Sequence, residues 1–373
     1  MHGLRVRLAI AVGSAAAAAA LAATPISAGT DSFVGDFHHV RTVASTVPQN
    51  GDVNPYGVAV VPASSGRLAA GDVLVSNFND AKNRQGTGTT IVEISPAGRV
   101  RLFAGLDDEK LPGACPGGVG LTTALVALRS GWVVVGSLPT RNGTPATMKA
   151  GCLIVLDANG TPVETISGPP IDGPWDMTAA DFGGTAALFV TNVLNGTVSA
   201  SPNVVDGGTV VRIGLNIAAS AAPQVVSETV IGTGFPERTD PAALVVGPTG
   251  VGLAPDGTLF VADSVANRIA AIPRALTRAD ATTGRTLSSG GALDDPLGLA
   301  VAPNGDVLTT NGGDGNLVET TERGAQVAVE ALDDTPAPPG PNGNGTLFGL
   351  AVAPGAGGVD FVDDGTNTLD LLH

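Results

Sequence analysis

Oxygen-bearing side chains recur at comparable places along this chain: Asn77, Ser137, Asn192, Asp263, Asn311 and Asp364 each close a short apolar run. Carboxylates and amide carbonyls converging from several such places would suit a hard cation such as Ca2+, which accepts oxygen ligands in flexible geometry. The same residue types also cap turns by bonding their own backbone, which needs no ligand at all. Asp176 stands apart, because it occupies a position that holds only small residues elsewhere: Gly57, Ala124, Gly250, Gly298 and Gly349. The residue just before that position is aromatic in three cases, Tyr56, Trp175 and Phe348, in a chain with only 3% aromatics. An acid rimmed by aromatic side chains is the composition of a small-molecule or peptide pocket. Histidine chemistry is disfavoured, since His2, His38, His39 and His373 all lie towards the two ends. No Gly-x-Ser-x-Gly nucleophile turn or phosphate-cradling Gly-rich loop stands out.

The elements that must position these residues form a repeat. Four segments share a Gly-centred start: Pro55 to Pro62, Pro248 to Pro255, Pro296 to Pro303 and Leu347 to Pro354. Two looser copies, Thr122 to Arg129 and Pro174 to Asp181, keep the register without the glycine. Each start leads through a polar turn into a second strand: Val73 to Asn77, Val133 to Ser137, Ala187 to Asn192, Leu259 to Asp263, Val307 to Asn311 and Val359 to Asp364. Further apolar runs joined by Pro96-Ala97-Gly98 and Ala158-Asn159-Gly160 read as hairpins. Six units of four strands predict an all-β fold, a six-bladed β-propeller. Unit six stops after its third strand, Thr368 to Leu371, while His39 to Ala44 resembles an outer strand. An N-terminal strand is therefore expected to complete the last blade, removing exposed sheet edges.

At this point the residues carry a resemblance. Gly250 to Ile272, GVGLAPDGTLFVADSVANRIAAI, resembles an NHL repeat, the unit of six-bladed propellers related to the gluconolactonase, regucalcin and paraoxonase group. In that group metal-binding Asn and Asp side chains come from positions like that of Asp176 on several blades. The resemblance implies a metal-assisted hydrolase or lactonase as one reading, with Asp176, Asn192, Asp263 and Asn311 as candidate ligands and Ca2+ as the candidate cofactor. Only Asp176 matches at the innermost position, so the reading preferred from the sequence is a binding module. It would take a small molecule or a protein or peptide on the channel-mouth face through Asp176, Trp175, Tyr56 and Phe348.

Residues 1–28 read as a signal peptide, with Arg5 and Arg7 before an Ala/Leu-rich run from Leu8 to Ala23 and a small-residue cleavage site at Ile26-Ser27-Ala28. An uncleaved anchor is the alternative. Residues 29–373 are then the propeller, secreted or held in the periplasm or cell envelope, and expected to be monomeric. Removing Arg5 and Arg7 takes the formal charge from −15 to −17. A surface so acidic repels phosphate backbones, which argues against nucleic acid as a partner. No later stretch is apolar enough to span a membrane. The two cysteines, Cys115 and Cys152, form either one bridge or two buried thiols. Cys115 precedes strand one of unit two and Cys152 begins its third strand, which lie on one face of a blade, so a disulfide is expected.

Overall fold

A computed structural model describes residues 32–218 and 221–373. Six antiparallel sheets are arranged as blades, each numbered from the innermost strand outwards. Blade one holds β2 (Val53–Val60), β3 (Val73–Asn79), β4 (Thr90–Ile94) and β5 (Val100–Gly105). Blade two holds β6 (Leu121–Ala127), β7 (Val133–Ser137), β8 (Cys152–Leu156) and β9 (Pro162–Ser167). Blade three has five strands: β10 (Pro174–Asp181), β11 (Thr185–Asn192), β12 (Val205–Asn216), β13 (Gln224–Asp240) and β14 (Leu244–Val246). Blade four is β15 (Pro248–Leu253) to β18 (Arg285–Ser289), with β16 (Leu259–Asp263) and β17 (Arg268–Ile272) between them. Blade five holds β19 (Pro296–Val301), β20 (Val307–Asn311), β21 (Asn316–Thr320) and β22 (Gln326–Ala331). Blade six is built from β23 (Leu347–Val352), β24 (Val359–Asp363), β25 (Thr368–Leu372) and, as its outer strand, β1 (Val40–Ser45).

The expected closure by an N-terminal strand is thus met: β1 runs antiparallel to β25, with Val40 opposite Leu372 and Ser45 opposite Thr368. Upstream, the Glu319 carboxylate accepts from Ser32 Oγ at 2.6 Å and from the main-chain N–H groups of Phe33 and Val34 at 2.6 and 2.9 Å. Val34 is wholly buried between blades five and six. The expected leader, residues 1–28, lies outside the described residues.

The repeated start has a physical cause. In all six blades the pairing of the first strand with the second shifts register near its start, as between Pro55 and Gly57 or between Pro296 and Leu299. Such a bulge turns the inner strand against its neighbour around the axis. A Cβ at Gly298 would collide with the Phe348 carbonyl oxygen, and one at Gly349 with that of Tyr56. Glycine is needed here because adjacent backbones touch, not because of an unusual φ. The core is correspondingly divided into interblade seams, lined mainly by Val, Leu and Ile. This accounts for a large chain folding with so few aromatic residues.

Two sequence expectations need correction in detail. Blade three carries a fifth strand rather than four, and β24 ends at Asp363, not Asp364. The Cys115–Cys152 disulfide is formed and ties the loop before β6 to the start of β8. Among the described residues no helix is long and apolar enough to cross a membrane. A disulfide and no such helix fit an exported protein.

Candidate functional site

The inner strands of all six blades enclose a central cavity of about 470 Å3. Apolar side chains such as Val58, Leu125, Val251, Leu299 and Leu350 line it together with Thr123, Thr178 and strand main chain, so its surface is mixed. It opens on the face of the turns that join first to second strands, where Pro62, Arg129 and Asp181 reach the lining. The main-chain N–H of Arg129 donates to Asp181 Oδ2 at 2.7 Å, joining blades two and three at this rim.

Asp176 lies towards the other end of the cavity, where the glycine column brings the inner strands together. It is 8% exposed. Its Oδ2 accepts from the main-chain N–H of Val251, on blade four, at 2.9 Å. Its own N–H donates to Thr191 Oγ1 at 3.0 Å, and that hydroxyl donates to the Thr249 carbonyl at 2.7 Å. Burial pushes the Asp176 carboxyl up to about 7, against the opposing pull of the Val251 and Met177 N–H groups. A buried carboxyl poised near neutrality can accept or give up a proton with little driving force in either direction.

The aromatic residues do not form a rim around this acid. Tyr56, Trp175 and Phe348 are buried, at 2%, 3% and 1% exposure. The Tyr56 ring stacks on Phe348 at 3.9 Å and on Phe78 at 4.3 Å, with Trp175 6.4 Å away. Residues of β14 pack into the same cluster, and Trp175 Nε1 donates to the Val245 carbonyl at 3.0 Å. The expected mouth is therefore sealed. The fifth strand of blade three closes that end over the aromatic layer, leaving the cavity open on the opposite face.

The second-strand ends serve their own blades. Asn77 donates to the Thr46 carbonyl and to Thr90, and Ser137 bridges Gly118 and Gly120. Asn192 Oδ1 accepts from the Asp172 N–H at 3.2 Å. Asp263 pairs with Arg268 at 2.8 Å, and Asn311 donates to the Ala292 carbonyl and to Asp314. Of Asp176, Asn192, Asp263 and Asn311, only Asp176 lines the cavity; the others stand one strand further from the axis. Among the described residues no three His, Cys, Asp or Glu side chains are arranged to hold a metal ion. The residues present therefore do not fit the Ca2+ site considered from the sequence. Asp364 lies just past the end of β24, where burial and the neighbouring Asp363 push its carboxyl up to about 7.

Arg129 and Asp181 were not singled out by the sequence reading, yet a signal existed. In four repeat starts the residue at this place is proline: Pro62, Pro255, Pro303 and Pro354. The two charged exceptions flank each other at the open end.

No protein-family profile matches the chain, and no curated protein sequence matches it. Solved structures do. A gluconolactonase from Xanthomonas campestris is similar at 14% identity, with a TM-score of 0.56 over 91% of this chain and 90% of that one. Regucalcin, a calcium-binding protein from Agrobacterium tumefaciens, is similar at 15% identity, with a TM-score of 0.51 over 88% and 92%. An aldose sugar dehydrogenase from Streptomyces coelicolor, in its PQQ-bound form, is similar at 16% identity, with a TM-score of 0.52 over 89% and 97%. At these identities the likeness is one of fold, and it bears out the six-bladed propeller expected from the repeat.

Proposed function

We propose that the protein is a hydrolase acting on a small ester or lactone held in the central channel, with Asp176 as its general base and acid. The observation that carries this reading is a buried carboxyl, raised to about 7, at the narrow end of a cavity of about 470 Å3. The gluconolactonase among the similar structures lends the reaction class. The Val251 N–H holds Oδ2 in place, and the carboxylate so oriented takes a proton from water. That water adds to the ester carbonyl, the ring C–O bond breaks, and Asp176 returns the proton to the departing alkoxide oxygen. Burial at the narrow end keeps the carboxyl basic.

Simple binding without turnover is the second reading. It is favoured by the lining itself, in which Arg129 and Asp181, both at the rim, are the other charged residues. A panel of γ- and δ-lactones followed by proton release separates the two. Turnover that falls at least about 100-fold in Asp176→Asn supports general-base catalysis. Saturable binding of the same compounds with no hydroxy acid formed, measured by NMR, would leave only the binding role.

A further inference from the structure

A second cavity, of about 140 Å3, lies at the seam where blade six meets blade one. Asp360 on β24 pairs with Leu371 on β25, which pairs with Arg41 on β1, so the three side chains form one row across the sheet. All three line the cavity. Two strand spacings separate the backbones of Asp360 and Arg41, about 10 Å. Blade one supplies the facing wall through Val73, Ile94 and Pro96. The floor is therefore apolar, with an acid at one end and a base at the other.

Asp360 is 6% exposed, and its side chain, which lines the cavity, has no hydrogen-bond or ion-pair partner among the described residues. A largely buried carboxylate with no protein donor must be served from the cavity, by water or by a ligand. Burial pushes this carboxyl up to about 6, with the Arg41 charge opposing. A simple cation placed against Asp360 would also meet the positive charge of Arg41. A molecule with both signs of charge satisfies both ends.

We infer that the seam cavity binds a small zwitterion, its ammonium at Asp360, its carboxylate at Arg41 and a short apolar body over Leu371. A volume of about 140 Å3 has room for an amino acid with a four- or five-carbon skeleton. Such a ligand would bridge β1 and blade one across the ring closure, and so stabilise the closed ring. This site is separate from the central channel and does not depend on the reading given to Asp176.

The test is a thermal melt and a calorimetric titration at pH 7.5 with 4-aminobutyrate and with L-valine, using butylammonium and butyrate as single-charge controls. At least one zwitterion is expected to raise Tm by about 2 °C near saturation, more than either control. Asp360→Asn and Arg41→Ala should each weaken binding at least tenfold, while Asp176→Asn leaves it unchanged. The inference is overturned if neither zwitterion shifts Tm, if butylammonium does as well, or if Asp360→Asn binds like the parent protein.

Discussion

The main-chain N–H of Val251 donates to Asp176 Oδ2 at 2.9 Å, so the acid that blade three projects into the channel is held by blade four. At the equivalent position, Gly250, Gly298 and Gly349 instead press directly on the next backbone. The sixth contact around the axis is thus made by a side chain. Its strength follows the protonation of that side chain.

The first prediction concerns pH. Asp176 titrates at about 7 in the folded chain, against an ordinary value of 3.8. Between these values the folded state holds the proton more tightly than the unfolded one, so stability contributed by this group is present below about 4 and lost as pH rises through 7. The loss is at most about 4 kcal/mol. Asp176→Asn should therefore be more stable than the parent in urea melts at pH 8 and close to it at pH 4. An advantage that is the same at both pH values would contradict this.

Calcium should have no effect on this protein, because Asp176 is not joined at the cavity by Asn192, Asp263 or Asn311. Melts with millimolar CaCl2 and with a chelator are expected to coincide. A calcium-dependent rise in Tm that disappears in Asp176→Ala would show that the oxygen donors rearrange around an ion.

The aromatic seal should behave as core. Phe348→Ala removes a ring stacked on Tyr56 and is expected to cost about 3–5 kcal/mol in urea unfolding. Trp175→Phe keeps most of the apolar surface and loses the bond to Val245, a cost of about 1 kcal/mol. If either side chain instead lined an open mouth, its replacement would leave stability nearly unchanged.

Acid should loosen the N-terminal strap. Burial alone would raise the Glu319 carboxyl, but the Phe33 N–H, the Ser32 hydroxyl and the Val34 N–H together hold it below its ordinary value. The stabilisation is present above that ordinary value and lost as pH falls through the depressed one. Glu319→Gln should cost about 1.5–3 kcal/mol and speed hydrogen exchange at Val34 before it affects blades one to three. Unchanged exchange at Val34 would mean that the strap is held by its apolar contacts alone.

Opening the bridge should be costly too. Replacing Cys115 and Cys152 by alanine removes a link spanning 37 residues, with an expected loss of about 2–4 kcal/mol in denaturant melts.

The architecture was legible because its cause is local and repeated. Gly57, Gly250, Gly298 and Gly349 mark the same backbone contact, and the six copies fixed both the blade count and the singular place of Asp176. Arg129 and Asp181 were visible as departures from a closing proline, but nothing in one strand says which end of a channel is open. That depends on β14, which follows a long stretch of blade three with no repeat-like pattern. Tyr56, Trp175 and Phe348 were correctly picked out as unusual and misplaced for this reason. An aromatic residue at a strand start packs the same way whether it floors a pocket or roofs one, and only the covering strand decides.

The pairing of Val40 with Leu372 has a consequence for how the molecule is made. It joins residues from opposite ends of the chain, so the entropy of closing the largest loop must be met before the last sheet is whole. During synthesis β1 is made well before β25 and waits for it unpaired. Blades one to five can assemble from neighbouring segments meanwhile, but the ring stays open until β25 is free. A chain organised in this way remains threadable until β25 has been made.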